Sequence, residues 1–379
     1  SEGLPTISFR DLAIQKREND LVAASFGRGF YVLDDYSALR TMNSNSFSKP
    51  ALFKPRKALQ YKPVSGGTSS QGASYFTADN PEYGATFTYY LPESFESIKD
   101  KRKKVEKDLK KDNKNIPFPG WNALDDEKNE DGASIILVIK DSNGNFVTRI
   151  NAAYKKGFNR VSWNLMNSLR TSLNIDRIND TPSEDRNNNF ANEVNYSVSM
   201  FSNIKGEITA LSEPQIFEVE RIRENVLKNP MDDKMNDYIG NLKVFKLELE
   251  STLKDFNKAS EKLLAYEKAT AYIQGEPGNL EKEISSVKKQ MFSLKQTLNG
   301  NASKEEIGEK DVQSINSRLS LAQKGFNTTY GATKMHMESL DMAKTLFNRI
   351  KPQLEKFINV DIPQIEKKLT NAGVPPILD

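Results

Sequence analysis

The chain has 379 residues, of which 37% are hydrophobic and 28% are charged, so it is long enough for two or three domains with sizeable cores. Its 54 basic and 51 acidic side chains leave a net charge of +3, which gives no overall attraction to nucleic acid. Cysteine is absent, which excludes disulfide bonds and thiolate metal sites. No stretch approaches the ~20 apolar residues of a membrane span.

The first zone, residues 1–40, predicts three short β-strands. Alternating apolar residues at 7–14 favour one strand, an Asn-Asp turn follows at 19–20, and residues 21–26 and 30–33 favour two more. Three short strands are too few for an independent domain. We therefore expect them to belong to a larger sheet, and the chain to be the C-terminal fragment of a longer protein.

The second zone, residues 45–220, is predicted to be mainly β. Its short strand candidates are separated by turn residues, most clearly Asp-Ser-Asn-Gly-Asn at 141–145, and this pattern favours a β-sandwich of immunoglobulin type. A Gly/Ser-rich loop at 66–84 and a charged helix at 94–115 interrupt the zone. The strand candidates are residues 59–62, 86–91, 134–140, 146–150, 157–165, 196–201 and 216–220.

The third zone, residues 221–379, is predicted to be helical. Apolar residues recur at spacings of three and four, and each resulting apolar stripe must be buried, so an antiparallel four-helix bundle is expected. The fold class is therefore α+β with several domains. Pro352 should kink the last helix, because it removes a backbone donor. The helix candidates are residues 235–266, 280–298, 315–326 and 340–357.

Residues 27–35, Gly-Arg-Gly-Phe-Tyr-Val-Leu-Asp-Asp, follow Asp-Leu-Ala-Ile at 11–14 and Asn-Asp-Leu-Val-Ala-Ala-Ser-Phe at 19–26. These segments resemble the closing blade of bacterial sortilin-like, BNR-repeat β-propellers, which are often labelled glycosyl hydrolases. Ser25-Phe26 stands where the family commonly has Thr-His, and Tyr31 where Trp is usual. The residues of this propeller-closing motif are Gly27, Arg28, Gly29, Asp34 and Asp35.

The resemblance extends along most of the chain. Gly-Phe-Asn-Arg-Val-Ser-Trp-Asn-Leu at 157–165 resembles the Ig-like module that follows the propeller in these proteins, and Asn-Ala-Gly-Val-Pro at 371–375 resembles their helical tail. The resemblance implies a secreted, periplasmic or cell-surface location, with the signal peptide upstream of this segment. Expected partners are the remainder of its own propeller, other exported or outer-membrane proteins, or glycans.

The resemblance also implies that any catalytic site at the propeller centre lies upstream of this segment, so no activity is carried over. The leading hypothesis is a non-catalytic structural or interaction region. The alternatives are an accessory part of a propeller glycoside hydrolase and a carbohydrate-binding module.

Within the chain itself, two groups of adjacent acids are candidates for the paired carboxylates of a glycosidase. They are Asp34-Asp35 and Asp125-Asp126-Glu127. Neighbouring residues on a strand point to opposite faces, so such acids make a poor catalytic pair. Asp34-Asp35 is better suited to the turn that ends a strand.

Metal and histidine chemistry is limited. His336 is the only histidine, so a multi-histidine metal site is excluded, and an ordinary packed or surface histidine near a helix start is expected. The 141–145 loop has oxygen ligands suited to Ca²⁺ but lacks the further acids of an EF-hand, which favours a plain hairpin turn. The polar loop at 176–185 is another Ca²⁺ candidate, for which a solvated loop is favoured. No cofactor is expected.

Two surface features remain as binding candidates. Residues 99–114 carry nine Lys or Arg against four Asp or Glu; this excess suits an anionic glycan or lipid headgroup, but acids at i,i+4 spacing favour a solvated helix. Trp121, Tyr75 and Tyr83 are candidates for a carbohydrate platform, because exposed aromatic rings stack on sugars. The strand pattern places Trp163 in the sandwich core. Trp121, which follows Pro-Phe-Pro-Gly, is the more exposed of the two, although packing is still its favoured role.

Overall fold

The computed structural model describes residues 6–27, 29–42, 47–61, 78, 80–168, 188–190, 194–223, 227–231, 234–276, 278–327 and 330–376. These residues form a mixed α+β structure with several sheets, which confirms the predicted class. The predictions for Arg28, for Tyr75, for the 176–185 loop and for most of the 66–84 loop concern residues outside the described part.

The chain divides into two compact units. One, here called the β unit, comprises Ser1–Asn167 and Ala191–Glu224; the other, the helical unit, comprises Ser168–Phe190 and Asn225–Asp379.

The β unit begins with three antiparallel strands, β1 Phe9–Gln15, β2 Asp20–Ser25 and β3 Gly29–Leu33, paired in chain order. Asn19 between β1 and β2 has φ 59°, and Gly27 and Gly29 around the second turn have φ 70° and 97°. Glycine adopts this left-handed region without steric cost, which explains the Gly-x-Gly pattern. A short helix, α1 Ser37–Arg40, follows.

Two further sheets complete the β unit. One is ordered β5-β14-β12-β7-β8 with β13 paired to β12, and the other β4-β6-β9; the β14–β5 pair is parallel and the remaining pairs are antiparallel. The bounds are β4 Ala51–Leu52, β5 Ala58–Gln60, β6 Ala85–Leu91, β7 Ala133–Lys140, β8 Phe146–Ala153, β9 Gly157–Trp163, β10 Met166–Ser168, β11 Asn188–Phe190 (in the helical unit), β12 Asn195–Ile204, β13 Glu207–Ala210 and β14 Gln215–Arg221.

These two sheets share one hydrophobic core. Alternate side chains of β7 and β12 point into it, because successive residues of a strand face opposite ways. Trp163 packs edge-on against Tyr196 and Phe217, with ring centroids 5.2 and 6.4 Å away. The predicted packing of Trp163 in the core is therefore confirmed. The contributions of β7 and β12 are Ile135, Leu137, Ile139, Tyr196, Val198 and Met200.

Between β6 and β7 the chain forms two helices, α2 Ile98–Lys111 and α3 Trp121–Asn129. The Ser97 hydroxyl caps α2 by accepting the Asp100 backbone N–H at 3.0 Å. The charged helix predicted for residues 94–115 is therefore confirmed, over the shorter range Ile98–Lys111. The sequence did not predict α3. It begins directly after Gly120, whose φ of 90° turns the chain out of the preceding Pro-Phe-Pro segment.

The helical unit contains α4 Met235–Ala269, α5 Asn279–Asn299, α6 Ala302–Glu306, α7 Ile315–Lys324, α8 Lys334–Lys356 and α9 Ile362–Asn371. Pro352 lies inside α8, and a π-helical segment, Phe357–Asp361, joins α8 to α9. The sequence missed α6 and α9, since α6 is a single turn and α9 continues α8 without a loop. The apolar faces of α4, α5, α7, α8 and α9 form one core, which agrees with the three-and-four spacing.

Phe347 at the centre of this core is fully buried and packs edge-on against Phe245 at 5.7 Å. Phe347→Ala is expected to lower the free energy of unfolding by about 3–5 kcal/mol, because it removes buried surface and leaves a cavity. Phe292→Ala is the matched control: Phe292 is 54% exposed, and its loss should cost under about 0.5 kcal/mol. Urea unfolding followed by circular dichroism measures both; equal costs would contradict this description of the core.

Gly84, just before β6, lies closer to a neighbouring backbone than any other described glycine of the β unit. Its φ is +119°, and a Cβ at this position would lie 1.9 Å from the Trp163 carbonyl oxygen. Gly84→Ala is expected to cost about 3 kcal/mol or more, from backbone displacement added to strain. Gly144→Ala is the control, because Gly144 has φ +81° but open space around it, so only the conformational cost of about 1–2 kcal/mol applies. Thermal unfolding that ranks the two variants in the opposite order would be inconsistent with the close approach.

Candidate functional site

A small cleft of about 210 Å³ in the β unit, where the chain leaves β3 and meets β6 and β9, is lined mainly by polar residues. It combines three carboxylates with two guanidinium groups. Its lining residues are Asp34, Asp35, Arg56, Pro81, Glu82, Thr86, Arg160 and Ser162. Arg56, Glu82 and Arg160 were not among the residues predicted from sequence.

Both arginines of the cleft are hydrogen-bonded to the segment that carries β1–β3. The Arg160 Nη2 donates to the Asp35 carbonyl oxygen at 2.6 Å. The Arg56 Nη1 donates to the Glu18 carbonyl oxygen at 3.2 Å and to its Oε2 at 3.0 Å. On the other side, the Asp35 N–H donates to Asp20 Oδ1 at 2.9 Å. The charge-assisted hydrogen bonds of the two arginines connect the three-stranded sheet to the rest of the β unit at this cleft.

Asp34 and Asp35 line this same cleft, and neither lies within a strand, so the rule that neighbouring strand residues face opposite ways does not apply to them. The reason is local: β3 ends at Leu33, and Asp35 has φ 42°, which breaks the strand alternation. The Asp35 Oδ1 accepts the Ser37 N–H at 3.2 Å, which confirms that the pair belongs to the turn ending β3.

The second acid group, Asp125-Asp126-Glu127, lies in α3, and its Glu127 binds Arg102 of α2. The Arg102 Nε and Nη2 donate to the two Glu127 carboxylate oxygens at 2.5 and 2.8 Å, and Nη1 donates to Glu106 at 2.5 Å. The hydrogen bond from Arg102 lowers the pKa of Glu127. Glu127 is thus a structural ion-pair partner that holds α2 against α3.

We call residues 98–129 the α2–α3 hairpin. No residue of either helix is buried as a whole, although the Glu127 side chain is only 6% exposed. Its base is fixed by Glu130, which accepts the Ile98 N–H at 2.6 Å and the Lys205 ammonium at 2.9 Å.

Trp121 begins α3 and is 74% exposed, so the favoured prediction that it packs is wrong. Its ring contacts Phe118, edge to face at 5.0 Å; Phe118 is itself 62% exposed. The two rings form an aromatic pair at the connection of the hairpin. In contrast, the Trp163 indole N–H donates to the Met166 carbonyl oxygen at 3.1 Å inside the β unit.

Tyr83 lies elsewhere in the β unit and is half-buried. Its hydroxyl oxygen accepts the Tyr61 N–H at 3.2 Å, and its ring lies edge-on to the Tyr61 ring at 4.9 Å. Burial raises the pKa of Tyr83. Among the described residues, Tyr83 and Trp121 thus have different ring partners.

The 141–145 loop is the tight hairpin turn between β7 and β8, as predicted. Asp141 Oδ1 accepts the backbone N–H groups of Asn143 and Asn145 at 2.9 and 2.8 Å. Hydrogen bonds from Asn145 are the main reason why the pKa of Asp141 is lowered. The carboxylate is therefore engaged by its own turn.

His336 lies at the third position of α8 and caps that helix. Its Nδ1 accepts the Thr333 backbone N–H at 3.0 Å and lies 2.8 Å from the Thr333 hydroxyl. Only an unprotonated Nδ1 can accept such a bond. Partial burial lowers the pKa of His336 below its ordinary value of 6.5.

A histidine with a lowered pKa stabilises the folded chain fully above its ordinary pKa of 6.5, and this contribution is lost as the pH falls toward the folded-state pKa. The melting temperature is expected to fall between about pH 7.5 and about pH 5.5, a range in which histidine is the side chain that ordinarily titrates. Differential scanning calorimetry measures the change. The His336→Gln variant retains a polar group at the cap but should lose most of this pH dependence. An identical pH profile in the variant would exclude His336 as its source.

No protein-family model, curated protein or solved structure matches the chain. Among the described helices, none is long and apolar enough to cross a membrane. Within the same residues, no three His, Asp or Glu side chains are grouped so that they could hold a metal ion. Functional inference therefore rests on the geometry and chemistry of the chain itself.

Proposed function

We propose that the chain is a non-catalytic structural and interaction region of a secreted or cell-surface β-propeller protein, in which β1–β3 are strands of the closing blade. The observation that carries this proposal is the three-stranded sheet: each of its faces has cross-strand rows of apolar residues, and none of the described residues in its strands is buried.

One face of the sheet is formed by two cross-strand rows. Leu12 lies opposite Ala23, which lies opposite Tyr31. In the next row Ile14 lies opposite Leu21, and Leu21 lies opposite Leu33. Leu12 is 62% exposed, so the described part of the β unit leaves this apolar face open to solvent.

The opposite face is mainly apolar at its centre, with Asp11 opposite Ala24 and Gln15 opposite Asp20 toward its ends. Ala13 lies opposite Val22 and Val22 opposite Val32, while Ala24 lies opposite Phe30. Phe30 is 78% exposed. Sheets with one solvated face alternate apolar and polar residues, whereas strands buried on both faces are apolar on both.

A β-propeller provides such a double cover, because its antiparallel sheets are arranged radially around an axis and each lies between two neighbours. Three antiparallel strands in chain order fit part of one four-stranded blade. The Gly-x-Gly turn and the acids after β3 agree with the sequence resemblance to sortilin-like propellers.

The remaining parts have supporting roles in this proposal. The two sheets with a common core are an Ig-like sandwich that braces the blade through the Arg160–Asp35 and Arg56–Glu18 contacts. The helical unit is an antiparallel four-helix bundle with an additional terminal helix. The three zones 1–40, 45–220 and 221–379 remain the proposed domains, and partners are the remaining blades together with exported proteins or glycans.

Hydrogen–deuterium exchange tests the proposal. In the chain studied alone, amides of β1–β3 should exchange at least about a hundredfold faster than those of β7 and β12, because their sheet is uncovered and opens locally. In the protein extended by its natural upstream residues, β1–β3 should become protected while β7 and β12 stay unchanged. The upstream reading frame should also encode repeats of the 11–35 pattern. Slow exchange of β1–β3 in the chain alone, or an upstream frame without such repeats, would overturn the propeller assignment.

A further inference from the structure

The α2–α3 hairpin combines an uncovered apolar tip with a row of free positive charges. At the tip, Phe118 and Trp121 are in ring contact and largely exposed, and Ile116 beside them is also exposed. Solvent exposure of a Trp–Phe pair is unfavourable unless a partner covers it.

The positive row runs along one face of α2. Lys99, Lys103, Lys107 and Lys110 recur at spacings of four, four and three, which places their side chains on one stripe of an α-helix. All four are exposed, and none has an ion-pair partner within 4.0 Å among the described residues. We call these four residues the lysine stripe.

Three other basic residues of α2 are paired with acids and so contribute less to a binding surface, while Lys101 is exposed outside the stripe. Arg102 binds Glu106 and Glu127, while Lys104 and Lys111 pair with Glu96 and Asp108. Most of the unpaired positive charge of α2 therefore lies on the stripe.

The lysine stripe borders α3, the helix that starts with Trp121. Glu127 of α3 accepts hydrogen bonds from Arg102, which is the main cause of its lowered pKa, and the charges of Lys99 and Lys103 lower that pKa further. Lys99 lies one turn before Arg102 on α2 and Lys103 directly after it, and Arg102 binds Glu127 at 2.8 Å, so the stripe borders the side of α2 that approaches α3.

We infer that the α2–α3 hairpin binds an anionic lipid bilayer surface, with Trp121 and Phe118 in the headgroup layer and the lysine stripe against the anionic headgroups. Tryptophan rings favour this layer, which is apolar on one side and wet on the other. Lysines add electrostatic attraction to anionic lipids. The inference goes beyond the proposed function and does not depend on the propeller.

The other occupants fit less of the surface. A neutral sugar stacks on aromatic rings but leaves four ammonium groups without counter-charges. An acidic protein segment pairs with the lysines but does not require an exposed Trp–Phe pair at the tip. Only an anionic interface matches both the charge and the aromatic groups. Because no described helix can cross a membrane, the contact is peripheral.

The chain contains its own reporter for the test. Of its two tryptophans, Trp163 is 3% exposed and Trp121 is 74% exposed, so a change in fluorescence on binding arises from Trp121. The full chain is titrated with vesicles of phosphatidylcholine alone and with vesicles of equal parts phosphatidylcholine and phosphatidylglycerol. A blue shift is expected only with the anionic vesicles and should disappear near 1 M salt, where the Debye length is about 3 Å.

Substitutions assign the binding to the hairpin, with sedimentation of vesicles as the readout. Lys99→Glu, Lys103→Glu and Lys107→Glu together should weaken binding at least about a hundredfold, at about fivefold for each lost lysine and more for the added repulsion. The matched control is Lys254→Glu, Lys282→Glu and Lys289→Glu, which makes the same charge change at exposed lysines of α4 and α5; it should bind normally.

Trp121→Ala should weaken binding about tenfold, while Trp121→Phe should retain most of it, since Phe also partitions to the interface. Circular dichroism confirms that each variant is folded. Equal binding to neutral vesicles, no binding to anionic ones, or equal losses for the two triple variants would overturn the inference. So would binding to soluble heparin as tight as to vesicles with no effect of Trp121→Ala, because the surface would then recognise a polyanion.

Discussion

Packing of the β4-β6-β9 sheet against the sheet that contains β7 and β12 is the interaction on which the rest of the β unit depends. Strand β9 shows how. Its inward residue Trp163 packs with Tyr196 and Phe217, and its outward residues Arg160 and Ser162 line the polar cleft. Because alternate side chains of one strand serve the two faces, the register that buries the tryptophan also places Arg160 against the Asp35 carbonyl. The helical hairpin is likewise inserted between two strands of this core, β6 and β7.

The sequence was most informative where a single period dominates. Strands β6, β7 and β12 and helices α4 and α5 were located to within a few residues, because regular burial of one face imposes periods of two or 3.6. Predictions were poorer where local backbone geometry interrupts a period. The positive φ of Asp35 brings two adjacent acids to one cleft, and α9 was missed because a π-helical segment replaces the loop that would have separated it from α8.

The cleft itself was outside the reach of sequence reasoning. Asp35, Arg56, Glu82 and Arg160 are brought together only by the pairing of strands distant in the chain. None of these side chains stands in a pattern that marks it: Arg56 follows a proline in an extended segment, and Arg160 is one of several outward residues of β9. The Pro-Phe-Pro-Gly-Trp context favoured exposure of Trp121 over Trp163, but its position at the start of a helix was missed, because α3 was not recognised.

The two uncovered apolar surfaces of the β unit differ in their charges. Around β1–β3 the exposed residues include aliphatic and aromatic side chains on both faces, which suits contact with other protein sheets. On the hairpin they lie beside unpaired lysines, which suits a surface with negative charge.

Gly84 has a consequence for recognising relatives of this chain. Since the Trp163 carbonyl occupies the space of a Cβ at this position, any chain that keeps the β6–β9 pairing with this register must keep glycine there. A glycine immediately before one strand, coupled to a tryptophan at the end of its partner strand, is therefore a compact signature for finding the same architecture among sequences too divergent to align.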